Sequence, residues 1–99
     1  MSARPRAETL YTRPFIRLAS KIAAAKGLTA DDLAARAEIR RSRMTRYEQG
    51  TVEPWISDIF SVAKALDVSP IWFLGQILAE GKTARAAHMR TNTDTKQRS

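Results

Sequence analysis

The chain has 99 residues, a net charge of +7 from 17 Lys/Arg against 10 Asp/Glu, and no cysteine. That length accommodates one small domain with short appendages, and the missing cysteine excludes a disulfide framework and any thiol-based metal site or nucleophile. One histidine (His88), no Gly-rich phosphate loop, and no apolar run of signal-peptide or membrane-spanning length leave a cytoplasmic, non-enzymatic protein without cofactor or metal as the expectation.

The charge is unevenly distributed. Residues 1–50 hold 11 basic against 5 acidic side chains, a balance of +6. Residues 51–81 hold Lys64 against Glu53, Asp58, Asp67 and Glu80, a balance of −3, and residues 82–99 return to +4 with 5 basic residues against Asp94. A basic first half and an acidic second half point to one face for a polyanion and another for something else.

Residues 1–11, "MSARPRAETLY", read as a flexible basic arm. A first helix starts near Thr12, expected as its cap, with Pro14 in the first turn, where a missing N–H costs little. Phe15, Leu18, Ala19 and Ile22 give it a buried stripe, and Gly27 ends it. Thr29 caps a second, short helix, with Asp32 three residues on as a capping box and Asp31 also suited to the helix start. Leu33, Ala34 and Ala37 are its buried positions. Glu38 and Ile39 leave room only for a tight turn before a third helix at about 41–48, followed by Gly50. A fourth carries Ile56, Ile59, Phe60, Ala63 and Leu66 at helical spacing. The last is capped by Ser69, opens on Pro70 and carries Ile71, Trp72, Leu74, Ile77 and Leu78 as far as Gly81. Trp72, Phe73 and Leu74 read as core or half-core. Residues 82–99 read as a disordered basic tail, with Ala84–Met89 able to extend the helix. The expectation is an all-α domain over residues 12–81, without strands or repeats.

The segment "LTADDLAARAEIRRSRMTRYEQG" has the arithmetic of a helix-turn-helix: a short helix, a tight turn, a second helix, and a small Ala34 where two helices cross. At about 100° per residue, Met44 and Tyr47 face the core, while Arg41, Ser42, Thr45 and Arg46 face outward with no acid among them. A merely solvated helix usually mixes signs. Arginine donates two hydrogen bonds to guanine O6 and N7, Thr45 offers a methyl to thymine, and Ser42 offers a hydroxyl. These four residues are therefore the base-reading candidates. Arg40 and Arg43 on the flanks suit phosphates, as do Gln49 and Thr51 at the far end of the helix. Asp31 and Asp32 suit a helix start better than acid/base catalysis.

With "KGLT" before the second helix, Leu33-Ala34, "RYEQG" after the third, Pro54 and "AKALDVSPIWFL", the span from Phe15 to Leu74 resembles the phage Cro/repressor-type (XRE) helix-turn-helix family. The resemblance implies a five-helix, lambda-repressor-like domain that binds operator DNA as a dimer. It also implies that Arg41, Ser42 and Arg46 touch bases. Four positions depart from the family pattern. Ala30 replaces a phosphate-clamping glutamine, leaving its backbone N–H and the Thr29 hydroxyl for that contact. Glu38 replaces a turn glycine, and Arg40 replaces a Ser/Thr cap. Ala23 replaces an arginine that pairs with the family's glutamate, here Glu48, for which Arg36 is the expected substitute.

Trp55, Ile71, Ile77 and Leu78 exceed what so small a domain buries and are the expected homodimer interface. "ARPR" in the arm and "KQRS" in the tail are candidates for further DNA contact. The reading that gathers these features is a sequence-specific, dimeric repressor on an inverted-repeat operator, with its own promoter as a candidate target. The alternative is an antitoxin that binds a protein toxin and represses its own operon.

Overall fold

The computed structural model describes residues 9–82; the rest of the arm and of the tail, including "ARPR", His88, Ala84–Met89 and "KQRS", lies outside the described residues. Five helices follow one another without a strand among the described residues: α1 Thr12–Ala25, α2 Ala30–Ala37, α3 Arg41–Gln49, α4 Ile56–Ala65 and α5 at 70–82.

Small residues set how closely the helices approach. Ala19, Ala23, Ala34, Ala37 and Ala63 are all buried, so α2 rests against α4 and α1 against α3 with little side chain between them. The larger groups fill the centre. Phe15 meets Tyr47 edge-on at 5.5 Å and Phe73 edge-on at 6.2 Å, which ties α1, α3 and α5 into one core. Ile59, Val62, Leu66 and Ile77 complete it.

The helix ends follow largely from local chemistry. The capping box at α2 is present: the Asp32 amide donates to the Thr29 hydroxyl oxygen and the Thr29 amide donates to the Asp32 carboxylate, each at 3.0 Å. These bonds, first from the Thr29 backbone and then from its side chain, hold the Asp32 carboxyl below the usual carboxylate value of 3.8. The Trp72 amide donates to Ser69 Oγ at 3.2 Å, as a cap should. Gly50 closes α3 at φ 72°, the left-handed region that favours glycine. Glu38 closes α2 in the same region at φ 59°, without glycine's freedom.

Three sequence expectations are corrected. Thr12 is not the cap of α1; Tyr11 holds that position without a side-chain bond, and Thr12 is the fully buried first helical residue. Its hydroxyl donates to the Val52 carbonyl, and the helix start is satisfied from a distance by Glu53. That carboxylate accepts from the amides of Leu10 at 2.6 Å and Tyr11 at 2.9 Å. Glu53 thus takes the place that a local cap would fill. Ile56 and Trp72, expected inside, are 57% and 46% exposed. Ile77, expected in a partner surface, is 1% exposed: it points inward with Phe73, one helical turn before it.

Candidate nucleic-acid interface

α2 and α3 meet through the Glu38–Ile39 turn. The Glu38 amide donates to Ala35 O and the Ile39 amide to Ala34 O, so the chain reverses while two of the carbonyls in α2's last turn keep partners. Ile39 is buried beneath the turn, and Met44 and Tyr47 are buried beneath α3. What remains outside on α3 is the polar set that the helical wheel selects. Arg41, Ser42 and Arg46 are exposed and Thr45 is half-buried beside them. Thr29, Ala30, Arg40 and Gln49 are exposed around this face; Thr51 is half-buried, with its hydroxyl donating to Arg46 O at 3.2 Å.

The arginines of α3 have different neighbours. Arg46 and Arg40 have no ion-pair partner among the described residues, whereas Arg41 has two: Nε lies 2.9 Å from Asp31 Oδ1 and Nη1 lies 3.3 Å from Glu48 Oε2. The outward face therefore does carry acids, contributed by α2 and by the far end of α3. Glu48 pairs with Arg41, not with the expected Arg36. Ala23 offers it no cation, and the space beside that small side chain is part of a cavity of about 130 Å³ bordered also by Ala30, Met44 and Glu48.

Arg43 is directed inward and away from the expected phosphate position. Its Nε and Nη2 donate to the two carboxylate oxygens of Asp58 at 2.7 and 3.0 Å, and its guanidinium carbon stands 4.8 Å from the centre of the Trp55 ring. Asp58 is 4% exposed and also accepts from the Tyr47 hydroxyl at 2.6 Å. The Trp55 amide donates to that hydroxyl oxygen at 3.3 Å. A buried carboxylate needs such partners, and these join α3 to α4. The Asp58 hydrogen bond and charge hold the Arg43 guanidinium protonated above its usual range. Burial, followed by the hydrogen bond to Asp58, pushes the Tyr47 hydroxyl up. Sequence reasoning missed this lock, because an acid in a helix's first turn reads as a complement to the helix dipole.

Of the expected partner surface, Trp55 is 60%, Ile71 71% and Leu78 44% exposed, while Ile77 is core. Exposed Ile56 and Trp72 join that set. Among the described residues no cluster of metal-ligating side chains occurs, and no helix is long and apolar enough to cross a membrane.

This geometry of α2, turn and α3 coincides with a match to the family model described as helix-turn-helix, over residues 18–73. The chain belongs to the helix-turn-helix family. As expected from its Cro/repressor-type landmarks, this helix-turn-helix protein is a DNA-binding transcriptional regulator and not an enzyme. Solved structures agree. The restriction-modification controller protein C.AhdI from Aeromonas hydrophila is 28% identical, with a TM-score of 0.54 over 65% of this chain and 94% of that one. The wild-type restriction-modification controller protein C.Esp1396I is 25% identical, with a TM-score of 0.57 over 72% of this chain and 90% of that one. A point mutant of the same controller, at 24% identity, superimposes with a TM-score of 0.62 over 75% of this chain and 94% of that one, which speaks to the fold. No curated protein matches. The antitoxin alternative gains no support from these neighbours.

Proposed function

We propose that the protein acts as a homodimeric repressor, seating two copies of α3 in successive major grooves of an inverted-repeat operator. The observation that carries this reading is the outer face of α3, where Arg41, Ser42, Thr45 and Arg46 stand clear of the core while Met44 and Tyr47 anchor the helix from below. Arg41 and Arg46 are assigned to guanines, Thr45 to a thymine methyl, and Ser42 to a base edge or adjacent phosphate. The Thr29 hydroxyl, the Ala30 amide, Arg40, Gln49 and Thr51 are assigned to phosphates, which fix the register without reading sequence. Arg43 leaves that set, because its donors serve Asp58.

A dimer of this kind places its two reading helices about 34 Å apart. Trp55, Ile56, Ile71, Trp72 and Leu78 are the residues proposed to join the copies: large exposed apolar side chains at the start of α4 and along α5, in the acidic half of the sequence. Repression follows from occupying promoter DNA, and the similarity to controller proteins supports a regulatory role of this kind.

Footprinting on the DNA upstream of the protein's own gene tests the reading. The expected result is protection of two symmetric half-sites one helical turn or a multiple apart, lost in Arg46→Ala. Protection that is unbroken and insensitive to sequence would reject it.

A further inference from the structure

The two outward arginines assigned to bases are not equivalent. Arg46 is free to adapt; Arg41 is held from two sides, by Asp31 at the start of α2 and by Glu48 near the end of α3. Both acids border the surface assigned to DNA, where a negative charge weakens binding to any duplex. Asp31 is 81% exposed at its side chain, so the pair adds little to the stability of the fold. Its contribution has to be sought in recognition.

The donor count shows what that contribution is. A guanidinium has five N–H groups. The Asp31 carboxylate lies 2.9 Å from Nε as an ion pair without accepting a directed hydrogen bond from it, and one hydrogen of Nη1 goes to Glu48. The Nε hydrogen, the second hydrogen of Nη1 and both hydrogens of Nη2 remain. Guanine O6 and N7 take one hydrogen from each of two neighbouring nitrogens in parallel, and Nη2, with both its hydrogens unbonded, is a member of either such edge. The acids thus restrain the guanidinium at Nε and at Nη1 and leave the hydrogens of Nη2 to a base. An arginine fixed in this way has less rotamer freedom to lose on binding the right base, and less freedom to swing to a phosphate beside a wrong one.

We infer that Asp31, supported by Glu48, is a specificity-determining residue: it presets Arg41 for one guanine and lowers affinity for all other sequences. This rests on the reading that Arg41 faces a base. Discrimination is a difference between affinities, and an acid that penalises every duplex sharpens it wherever the preset arginine recovers the loss.

The test uses the full-length chain with Asp31→Asn, Glu48→Gln and Arg41→Ala. Each is selected against a randomised duplex library and titrated with sonicated genomic DNA, with thermal unfolding as a check on folding. Asp31→Asn is expected to bind genomic DNA about threefold more tightly at low salt, because one negative charge is gone. It is also expected to lose about tenfold in preference at one base pair of each half-site, the same base pair whose preference Arg41→Ala removes. Glu48→Gln should shift both readouts in the same direction. If Asp31→Asn selects the parental motif at parental strength, or weakens every duplex alike, the inference is overturned. If instead Arg41→Ala leaves the motif unchanged, the assignment of Arg41 to a base fails first, which separates the two outcomes.

Discussion

The outer face of α3 and the apolar face of α4 and α5 are both exposed, but they are held open by different means. On α3 the long charged side chains sit above buried anchors. Met44 and Tyr47 fill the core, Arg43 is locked to Asp58, and Arg41 is steadied by Asp31 and Glu48. On the apolar face, Trp55, Ile56, Ile71, Trp72 and Leu78 are exposed side chains on helices that bury their opposite sides. A surface that reads hydrogen bonds must be oriented to fractions of an ångström, so it is rooted. A surface that excludes water needs only a partner of matching shape.

The comparison is broken most severely at the root. Asp58→Ala leaves the Arg43 guanidinium and the Tyr47 hydroxyl without their shared acceptor. It should cost about 3 kcal/mol of stability, visible as an earlier midpoint in urea unfolding, and should loosen α3 along with the fold. Removing the reading groups leaves the root in place. Arg46→Ala and Arg41→Ala should each weaken specific binding by about 1–3 kcal/mol with unfolding unchanged, and each should relax one base position. Equal losses on every sequence would turn that residue into a phosphate contact.

The other face is challenged by Ile71→Asp. At 71% exposure the side chain carries no core packing, so stability should hold. Self-association measured by sedimentation should weaken at least about tenfold, or roughly 1.4 kcal/mol. A wild-type monomer at high micromolar concentration, with and without operator, would reject this face as an interface.

The smallest effect concerns the entry to the reading unit. Thr29→Ala removes the cap of α2 and should cost about 1 kcal/mol. It should also flatten the acid limb of the stability curve. Because the folded Asp32 carboxyl titrates below its ordinary value, its contribution is present above the unfolded value of 3.8 and is lost as pH falls through the lowered one. The variant should show a shallower slope, because it loses the hydroxyl contribution and keeps the larger one from the backbone amide of residue 29.

Much of this was legible in the sequence. Thr29 with Asp32, Ser69 with Pro70, and Gly50 after "RYEQ" are local signals, and local chemistry decided them. The wheel of α3 worked because Met44 and Tyr47 are unambiguous core residues and fix the direction of the rest. What failed to show was chemistry between distant residues. Glu53 satisfies the start of α1 across more than forty positions, and Asp58 takes Arg43 and Tyr47 from another helix. No spacing rule reaches that far. Ile56 and Trp72 misled because a helical period marks a stripe without marking its edges. Ile77 misled in the opposite sense, since α5 packs further along its length than the resemblance implied.

Glu38 holds a left-handed conformation that glycine adopts freely, at a turn where its own amide and that of Ile39 already donate to α2 carbonyls. Its side chain is exposed and makes no hydrogen bond or ion pair among the described residues. Glu38→Gly should therefore raise stability by about 1 kcal/mol while leaving both recognition surfaces as they are. Such a variant is a toughened host. In it, substitutions that would otherwise unfold so small a protein can be purified and compared for binding alone, so that the grip of α3 on DNA is measured apart from the strength of the domain that carries it.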